Sequence, residues 1–333
     1  MKSWNKKIII NDENQEVEAI TPFIISASRS TDIPAFFSKW FFNRLEKGYV
    51  TWKNPFNQKI QYVSFDETKV IVFWSKNPKL IIPHLQELNK RDIKYYFQFT
   101  LNDYEKENLE PNVPKLENRI NTFKELSNLI GKEKVIWRFD PLILSDFISV
   151  DDLLEKIKNI GNQICSYTEK LVFSFADIEV YKKVQNNLYE QDTSFREFSQ
   201  YDIMDFSKKL KELNQKWNLE LSTCTEKIEL EQFNIKHNKC VDDELIYKIG
   251  KNDKKILNWL GIDNTASLFG DDYSPNIKLK DKGQRKECGC IMSKDIGMYN
   301  TCNHLCTYCY ANHSVNLVKQ NIKKHNFNNQ SIV

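Results

Sequence analysis

Along the first two thirds of the chain, short runs that are apolar at nearly every position alternate with longer stretches whose apolar residues recur every three or four positions. The runs lie at 23–28, 49–54, 70–76, 95–101, 135–140, 171–177 and 219–224. They are rich in β-branched and aromatic residues, and the pattern predicts strands covered on both faces, as in a parallel sheet. The periodic stretches predict helices at 35–47, 78–90, 116–130, 150–164 and 201–217. Pro78 is well placed for a first helical turn. The polar stretch 184–200, through Asn186, Asn187, Gln191 and Asp192, reads as a long loop. Strand and helix alternating in this way predict an α/β fold, either a (β/α) barrel or partial barrel or an open doubly wound sheet. The division expected is an N-terminal extension at 1–22, a (β/α) barrel body at 23–225, a cysteine-rich segment at 226–315 packed on it, and a polar tail at 316–333.

The predicted strands end in polar residues. The first runs into Ser28, Arg29, Ser30, Thr31 and Asp32, the second into Lys53 and Asn54, and the third into Ser75, Lys76 and Asn77. The others carry Gln98 and Thr100, Arg138 and Asp140, Ser174 and Asp177, and Ser222, Thr223 and Cys224. Any strand meets polar residues where it enters a loop. In a barrel, however, all these ends share one mouth, where the active sites of such folds lie. Arg138 and Asp140 stand at alternate positions of one strand and therefore share a face. Arg29, Asp32, Arg138 and Asp140 are accordingly the candidate catalytic residues.

Composition narrows the field. The 333 residues carry 48 Lys and Arg against 45 Asp and Glu, a net charge of +3. That balance argues neither for nor against a nucleic-acid partner. An apolar fraction of 41% excludes global disorder. No apolar run approaches the length of a membrane span, and the first residues do not read as a secretory signal, so a cytoplasmic protein without a membrane partner is expected. A Walker loop, a G-x-S-x-G elbow and paired metal-binding histidines are all absent from the sequence. The aromatics Trp40, Phe41, Phe42, Trp74, Tyr95, Tyr96 and Phe97 are expected in the core, and Lys208, Lys209, Lys211 and Lys216 on a solvated helix face.

Of the eight cysteines, five fall between 288 and 309. In a reducing compartment such clustering reads as ligation before disulfides. Cys302, Cys306 and Cys309 have the spacing C-x3-C-x2-C. Three thiolates on one loop hold three irons of a cubane and leave the fourth open to a ligand, whereas zinc takes four ligands, or three and water. Cys224, Cys240, Cys288 and Cys290 form a possible second set, closing another iron–sulfur cluster or a structural zinc; the alternative is that Cys224 and Cys240 are ordinary core residues. Cys240 is expected to begin a helix. Cys165 reads as an idle or buried thiol, and His304, inside the cysteine loop, as a solvent-facing residue, the alternatives being a ligand or a hydrogen-bond donor that supports one.

With Tyr308 before its last cysteine, the C-x3-C-x2-C segment resembles the motif of radical S-adenosylmethionine (radical SAM) enzymes. The segments Ser26-Ala27-Ser28-Arg29-Ser30-Thr31-Asp32-Ile33-Pro34, Phe73-Trp74-Ser75-Lys76-Asn77-Pro78, Trp137-Arg138-Phe139-Asp140-Pro141 and Tyr308-Cys309-Tyr310-Ala311-Asn312 further resemble an uncharacterised microbial domain-of-unknown-function family, from about Ile24 to Asn312. The resemblance implies a [4Fe–4S] cluster on Cys302, Cys306 and Cys309, S-adenosylmethionine at its open iron, an electron donor, and a 5′-deoxyadenosyl radical acting on an unknown small-molecule or nucleic-acid substrate. It places Tyr308 beside the adenine; because the glycine-rich segment of radical SAM enzymes is missing, other groups are expected to bind the cofactor, Arg29 or Arg138 its carboxylate and Asp140 or Asp177 its ribose or amino group. The Tyr308-Cys309-Tyr310 context is similar to that of photoproduct lyases, which makes repair of DNA lesions a minor possibility. Two features depart from ordinary radical SAM enzymes. The cysteine motif follows the last predicted strand rather than the first, and no Gly-Gly-Glu segment is present. The rival expectation is a non-catalytic protein that binds a metal or cluster and holds a ligand at the barrel mouth.

Overall fold

The computed structural model describes residues 4–179, 182–189, 194–262 and 279–333. At its centre is a sheet of eight strands: β1 (Ile24–Ala27), β2 (Val70–Ser75), β3 (Lys94–Thr100), β4 (Val135–Leu142), β5 (Lys170–Phe175), β6 (Glu220–Thr223), β7 (Ile235–His237) and β8 (Lys294–Asp295). The spatial order is β7-β6-β5-β4-β3-β2-β1-β8. Every neighbouring pair is parallel. The fold is mixed α/β, and the sheet is compatible with a partial barrel, since among the described residues β7 and β8 remain separate edges.

The expected strands at 23–28, 70–76, 95–101, 135–140, 171–177 and 219–224 all enter this sheet, with ends within two residues. The run at 49–54 does not. Tyr49–Lys53 pairs antiparallel with Ile60–Ser64 in a separate four-stranded sheet that also contains Lys6–Ile10 and Glu16–Ile20. Its burial falls away from Tyr49 to an exposed Lys53, as on a sheet covered over only part of its surface. Lys53 and Asn54 are therefore removed from the common strand-end mouth; Asn54 instead caps its own loop by accepting from Phe56 N at 2.9 Å.

The side chains of the parallel strands alternate between two apolar layers. One face, with Ile25, Ile71, Phe73, Phe97, Phe99, Trp137, Phe139, Leu171 and Phe173, packs under the outer helices. The other, with Ile24, Val70, Val72, Tyr96, Ile136 and Val172, packs against Val241, Ile246, Ile256, Leu260 and Ile291 of the C-terminal third. Helices Asp243–Gly250 and Lys254–Leu260 thus cover the inner face of the sheet.

Leu116–Ile130, Val150–Ile164 and Gln200–Asn214 form as long helices. Ser149 and Ser199 open the last two with reciprocal capping boxes. The expected helix at 35–47 is interrupted at Phe37, between Ile33–Phe36 and Ser38–Lys47. The one at 78–90 breaks into 3₁₀ turns at Pro78–Leu80 and Ile82–His84 and a short helix at Gln86–Lys90, because Pro83 has no N–H to continue the ladder. The expected loop at 184–200 contains a helix, Lys182–Tyr189, and a short strand, Phe195–Arg196. Its polar residues sit on a surface helix, where polarity alone does not distinguish helix from loop; Gln191 and Asp192 lie outside the described residues. On Gln200–Asn214, Lys209 reaches Asp151 and Asp205, each at 2.7 Å. Among the described residues, no helix is long and apolar enough to cross a membrane.

Candidate functional site

Inner-face positions near the C-terminal ends of the strands are polar, and a cavity of about 420 Å³ opens there. It is lined by Ser28 and Arg29 beyond β1, Trp74 and Lys76 at the end of β2, Arg138 and Asp140 on β4, Ser174 on β5, and Cys224 and Glu226 beyond β6. The C-terminal third supplies the facing wall with Cys240, Cys288, Cys290, Cys302, Cys306 and Cys309. Both cysteine sets therefore meet at one cavity. Cys165 stands apart, partly buried in a 3₁₀ turn after helix Val150–Ile164.

The topology explains how a motif late in the chain reaches the first strand. β8 pairs with β1 through Lys294 beside Ile25 and Asp295 beside Ser26. The Asp295 carboxylate accepts from Ser26 Oγ at 2.8 Å, Arg29 N at 2.8 Å, Ser30 Oγ at 3.3 Å and Gly297 N at 2.8 Å. One side chain thus ties the loop after β1 to the turn that leads into the cysteine loop. Gly297 permits the contact: a Cβ there would stand 1.7 Å from Ser28 Oγ.

The C-x3-C-x2-C loop is anchored by two buried networks. His304 is 2% exposed rather than solvent-facing, because its Nε2 lies 2.8 Å from Asp32 Oδ2 and its ring packs on Phe36 at 4.6 Å. Asp32 also accepts from Ser75 Oγ at 2.7 Å, Lys76 N at 2.8 Å and Ala35 N at 2.9 Å. With every one of these partners in the scaffold, Asp32 positions the loop and caps a helix. On the other side, Tyr308 donates its hydroxyl to Glu110. Lys76 Nζ lies 2.7 Å from Glu110 and 3.0 Å from the Tyr308 oxygen. Burial works to raise the Glu110 pKa, but Lys76 and Arg119 outweigh it and hold the carboxyl at about 2. Burial pushes the Cys302 and Cys306 thiols up, and for Cys302 the nearby charges of Asp32, Cys309 and Cys306 add to the rise.

Arg138 and Asp140 share a face as their spacing predicts and form an ion pair at 2.7 Å. Arg138 turns its other nitrogen to Gln98 Oε1 at 3.2 Å and to Cys240 Sγ at 3.1 Å. Asp140 accepts from Ser174 Oγ. Asn102 links this pair to the Tyr308 network: it accepts from Asp140 N at 2.8 Å and donates to the Tyr308 oxygen at 3.1 Å. Arg29 lies over Trp74 at 4.9 Å, and its Nη2 is buried without a hydrogen-bond partner. Asp177 is at the rim, paired with Arg285 at 2.9 Å.

The second cysteine set also converges. Cys224 Sγ and Cys240 Sγ are 3.5 Å apart. Cys290 Sγ accepts from Cys240 N at 3.2 Å and Val241 N at 3.4 Å, and is in hydrogen-bonding contact with the Cys240 and Cys288 thiols. The Cys240 carbonyl is fixed by Tyr96 at 2.8 Å and Gln98 at 2.9 Å. Cys240 does not begin a helix; it precedes the Asp242 cap of Asp243–Gly250. Hydrogen-bonding contact with the Cys224 and Cys290 thiols lowers the Cys240 pKa well below the usual thiol value. Among the described residues, no group of three or more His, Cys, Asp or Glu side chains is already arranged as a ready metal site.

Trp74, Lys76, Ser174 and Glu226 are among the cavity residues that were not candidates from sequence. Burial raises the Glu226 pKa to about 7, and its carboxylate accepts from Phe175 N at 2.8 Å. Lys76 and Ser174 belong to the polar strand ends, where a legible signal existed. Glu226 and Trp74 carry none beyond position next to such an end.

No curated protein matches this chain. Among solved structures, one described as a "putative alpha-L-fucosidase from Bacteroides thetaiotaomicron" is similar at 12% identity over 59% of this chain and 75% of that one, with a TM-score of 0.26. A likeness at that level carries nothing about fold or activity. The family described as "Domain of unknown function (DUF1848)" matches residues 24–311, and the chain, whose matched stretch runs from β1 through the whole cysteine loop, belongs to that family.

Proposed function

We propose that this protein is an iron–sulfur enzyme of the radical SAM type, with its cluster on Cys302, Cys306 and Cys309 and its substrate in the cavity at the strand ends. The observation that carries the reading is convergence: the three cysteines line the same cavity as Arg29, Arg138 and Asp140. The donor set fits a cubane with one open corner, since Cys302, Cys306 and Cys309 offer three sulfurs from one loop. When bound, the cluster supplies one electron, received from an outside donor, for reductive cleavage of S-adenosylmethionine.

The remaining chemistry belongs to the chain. The unpartnered Arg29 Nη2 is a buried cation free to bind the cofactor carboxylate. Asp140 holds Arg138 in place for an anionic group. The Tyr308 hydroxyl is occupied by Glu110, which leaves its ring as the surface for stacking on the adenine. Phe175, Ile178, Val184 and Leu188 give the cavity an apolar side that limits access of water to a reactive radical.

The test is to purify the full chain without oxygen, reduce it, add S-adenosylmethionine and assay 5′-deoxyadenosine together with iron. Iron with deoxyadenosine, both lost in Cys306→Ala, is the expected result. Iron without cofactor cleavage, across candidate substrates, would favour the non-catalytic ligand-binding alternative.

A further inference from the structure

Cys224, Cys240, Cys288 and Cys290 come from three separate stretches of chain, after β6, before helix Asp243–Gly250, and before β8, yet they follow one another in contact: Cys224 with Cys240, Cys240 with Cys290, and Cys290 with Cys288. We propose that these four thiolates form a second metal site, which binds a single zinc ion and pins the C-terminal third of the chain to the inner face of the sheet. Its ligands are distinct from Cys302, Cys306 and Cys309, although both sets line one cavity.

The spacing of the sulfurs favours one ion over a cluster. Tetrahedral zinc with bonds of about 2.3 Å sets its sulfurs about 3.8 Å apart. Cys224 Sγ and Cys240 Sγ stand 3.5 Å apart. In a cubane each cysteine sulfur sits on a different iron and is held further from its neighbours. Cys290 already touches Cys240, and Cys288 touches Cys290; closing the tetrahedron requires Cys288 and Cys290 to turn toward the Cys224–Cys240 pair.

The surroundings suit bound thiolates. N–H groups point at the sulfurs: Cys240 N and Val241 N at Cys290, and Arg138 and Asn238 at Cys240, the latter two at 3.1 Å and 3.3 Å. Such hydrogen bonds stabilise metal-bound thiolates and fix their orientation. Four thiolates and one divalent ion leave two negative charges, and the guanidinium groups of Arg29 and Arg138 face them. Gly289 lets the Cys288–Cys290 turn lie against Lys239, whose Cγ would be 2.9 Å from a Cβ there.

The experiment uses the full chain carrying Cys302→Ala, Cys306→Ala and Cys309→Ala, produced with zinc in the medium. It should keep one zinc per chain after dialysis and, with cobalt exchanged for zinc, give the absorption of a tetrahedral four-thiolate site. Adding Cys288→Ser should lower zinc affinity by more than the roughly 10- to 100-fold that a supporting hydrogen-bond partner carries. Zinc absent from the triple variant, zinc retained unchanged after Cys288→Ser, a Cys224–Cys240 disulfide in place of metal, or iron with sulfide on these four residues would each overturn the proposal. Should the triple variant fail to fold, X-ray absorption at the zinc edge of the unaltered chain decides. A shell of four sulfurs at about 2.3 Å supports the site, and one containing nitrogen or oxygen overturns it.

Discussion

Asp295 and Gly297 show how single residues set the geometry of the cavity. Asp295 gathers Ser26, Arg29, Ser30 and Gly297, and Gly297 lies so close to Ser28 that only hydrogen fits on its Cα. Gly297→Ala must push the loop after β1 outward. Overpacking of this kind costs roughly 1–3 kcal/mol. Denaturant unfolding should show that loss, and proteolysis should show earlier cutting near Ser28. An unchanged midpoint would mean the loop yields without strain. Sequence legibility at this scale was uneven. The shared face of Arg138 and Asp140 follows from a strand period of two. The grouping of Cys224 and Cys240 with Cys288 and Cys290 followed from ligand arithmetic. His304 was misplaced because a polar residue in a polar loop carries no mark of burial; its partner, Asp32, is far away in sequence. Trp74 was expected in the core, since nothing in an apolar strand end tells which aromatic will roof a cavity beneath an arginine.

Between elements, the buried Glu110 is the hub that joins the end of β2, helix Leu116–Ile130 and the cysteine loop. It meets Lys76 at 2.7 Å, Arg119 at 3.7 Å and the Tyr308 hydroxyl. Its carboxyl titrates at about 2 in the fold, against about 4.3 when unfolded. A depressed acid contributes stability that is present above the unfolded pKa and is lost as pH falls through the folded one. The window is therefore about pH 4.5 down to 2, and the contribution is roughly 3 kcal/mol. Glu110→Gln should destabilise at pH 7 by on the order of 3–5 kcal/mol, because Lys76 and Arg119 are left buried without their anion. The deficit should narrow as pH drops through that window, which urea unfolding at successive pH values measures. A gap of constant size would mean that Glu110 is not ionised in the fold. The long helices were legible because their capping boxes and apolar period agree. Pro83 broke a periodic stretch that hydrophobicity alone presents as one helix. The strand Tyr49–Lys53 was assigned to the wrong sheet, because composition identifies a strand without identifying its partner.

On the scale of the whole molecule, the parallel strands were readable because both of their faces are apolar, and the last third was less so for the same physical reason. β7 and β8 are too short for any periodicity, and the stretch between them is punctuated by cysteines rather than by an apolar repeat. Yet this stretch completes the fold. Val241, Ile246, Ile256, Leu260 and Ile291 cover Ile24, Val70, Val72, Tyr96, Ile136 and Val172, and Tyr96 and Gln98 bond the Cys240 carbonyl. Among the described residues, the buried apolar cover of the inner face thus comes from beyond residue 225. A chain ending at Thr225 would expose that whole apolar layer, at about 25 cal/mol per Å² of surface returned to water, and would leave β1 without its partner β8. Such a fragment is expected to aggregate or to bind a hydrophobic dye with no cooperative unfolding transition. The full chain should unfold in one transition that includes both the sheet and the cysteine-bearing segment. Fluorescence of Trp137, in the sheet, and Trp259, in the C-terminal third, reports the two parts when the other tryptophans are replaced by phenylalanine. Coincident midpoints support a single cooperative unit, whereas a fragment 1–225 that melts sharply on its own would show that the sheet does not depend on the segment that covers it.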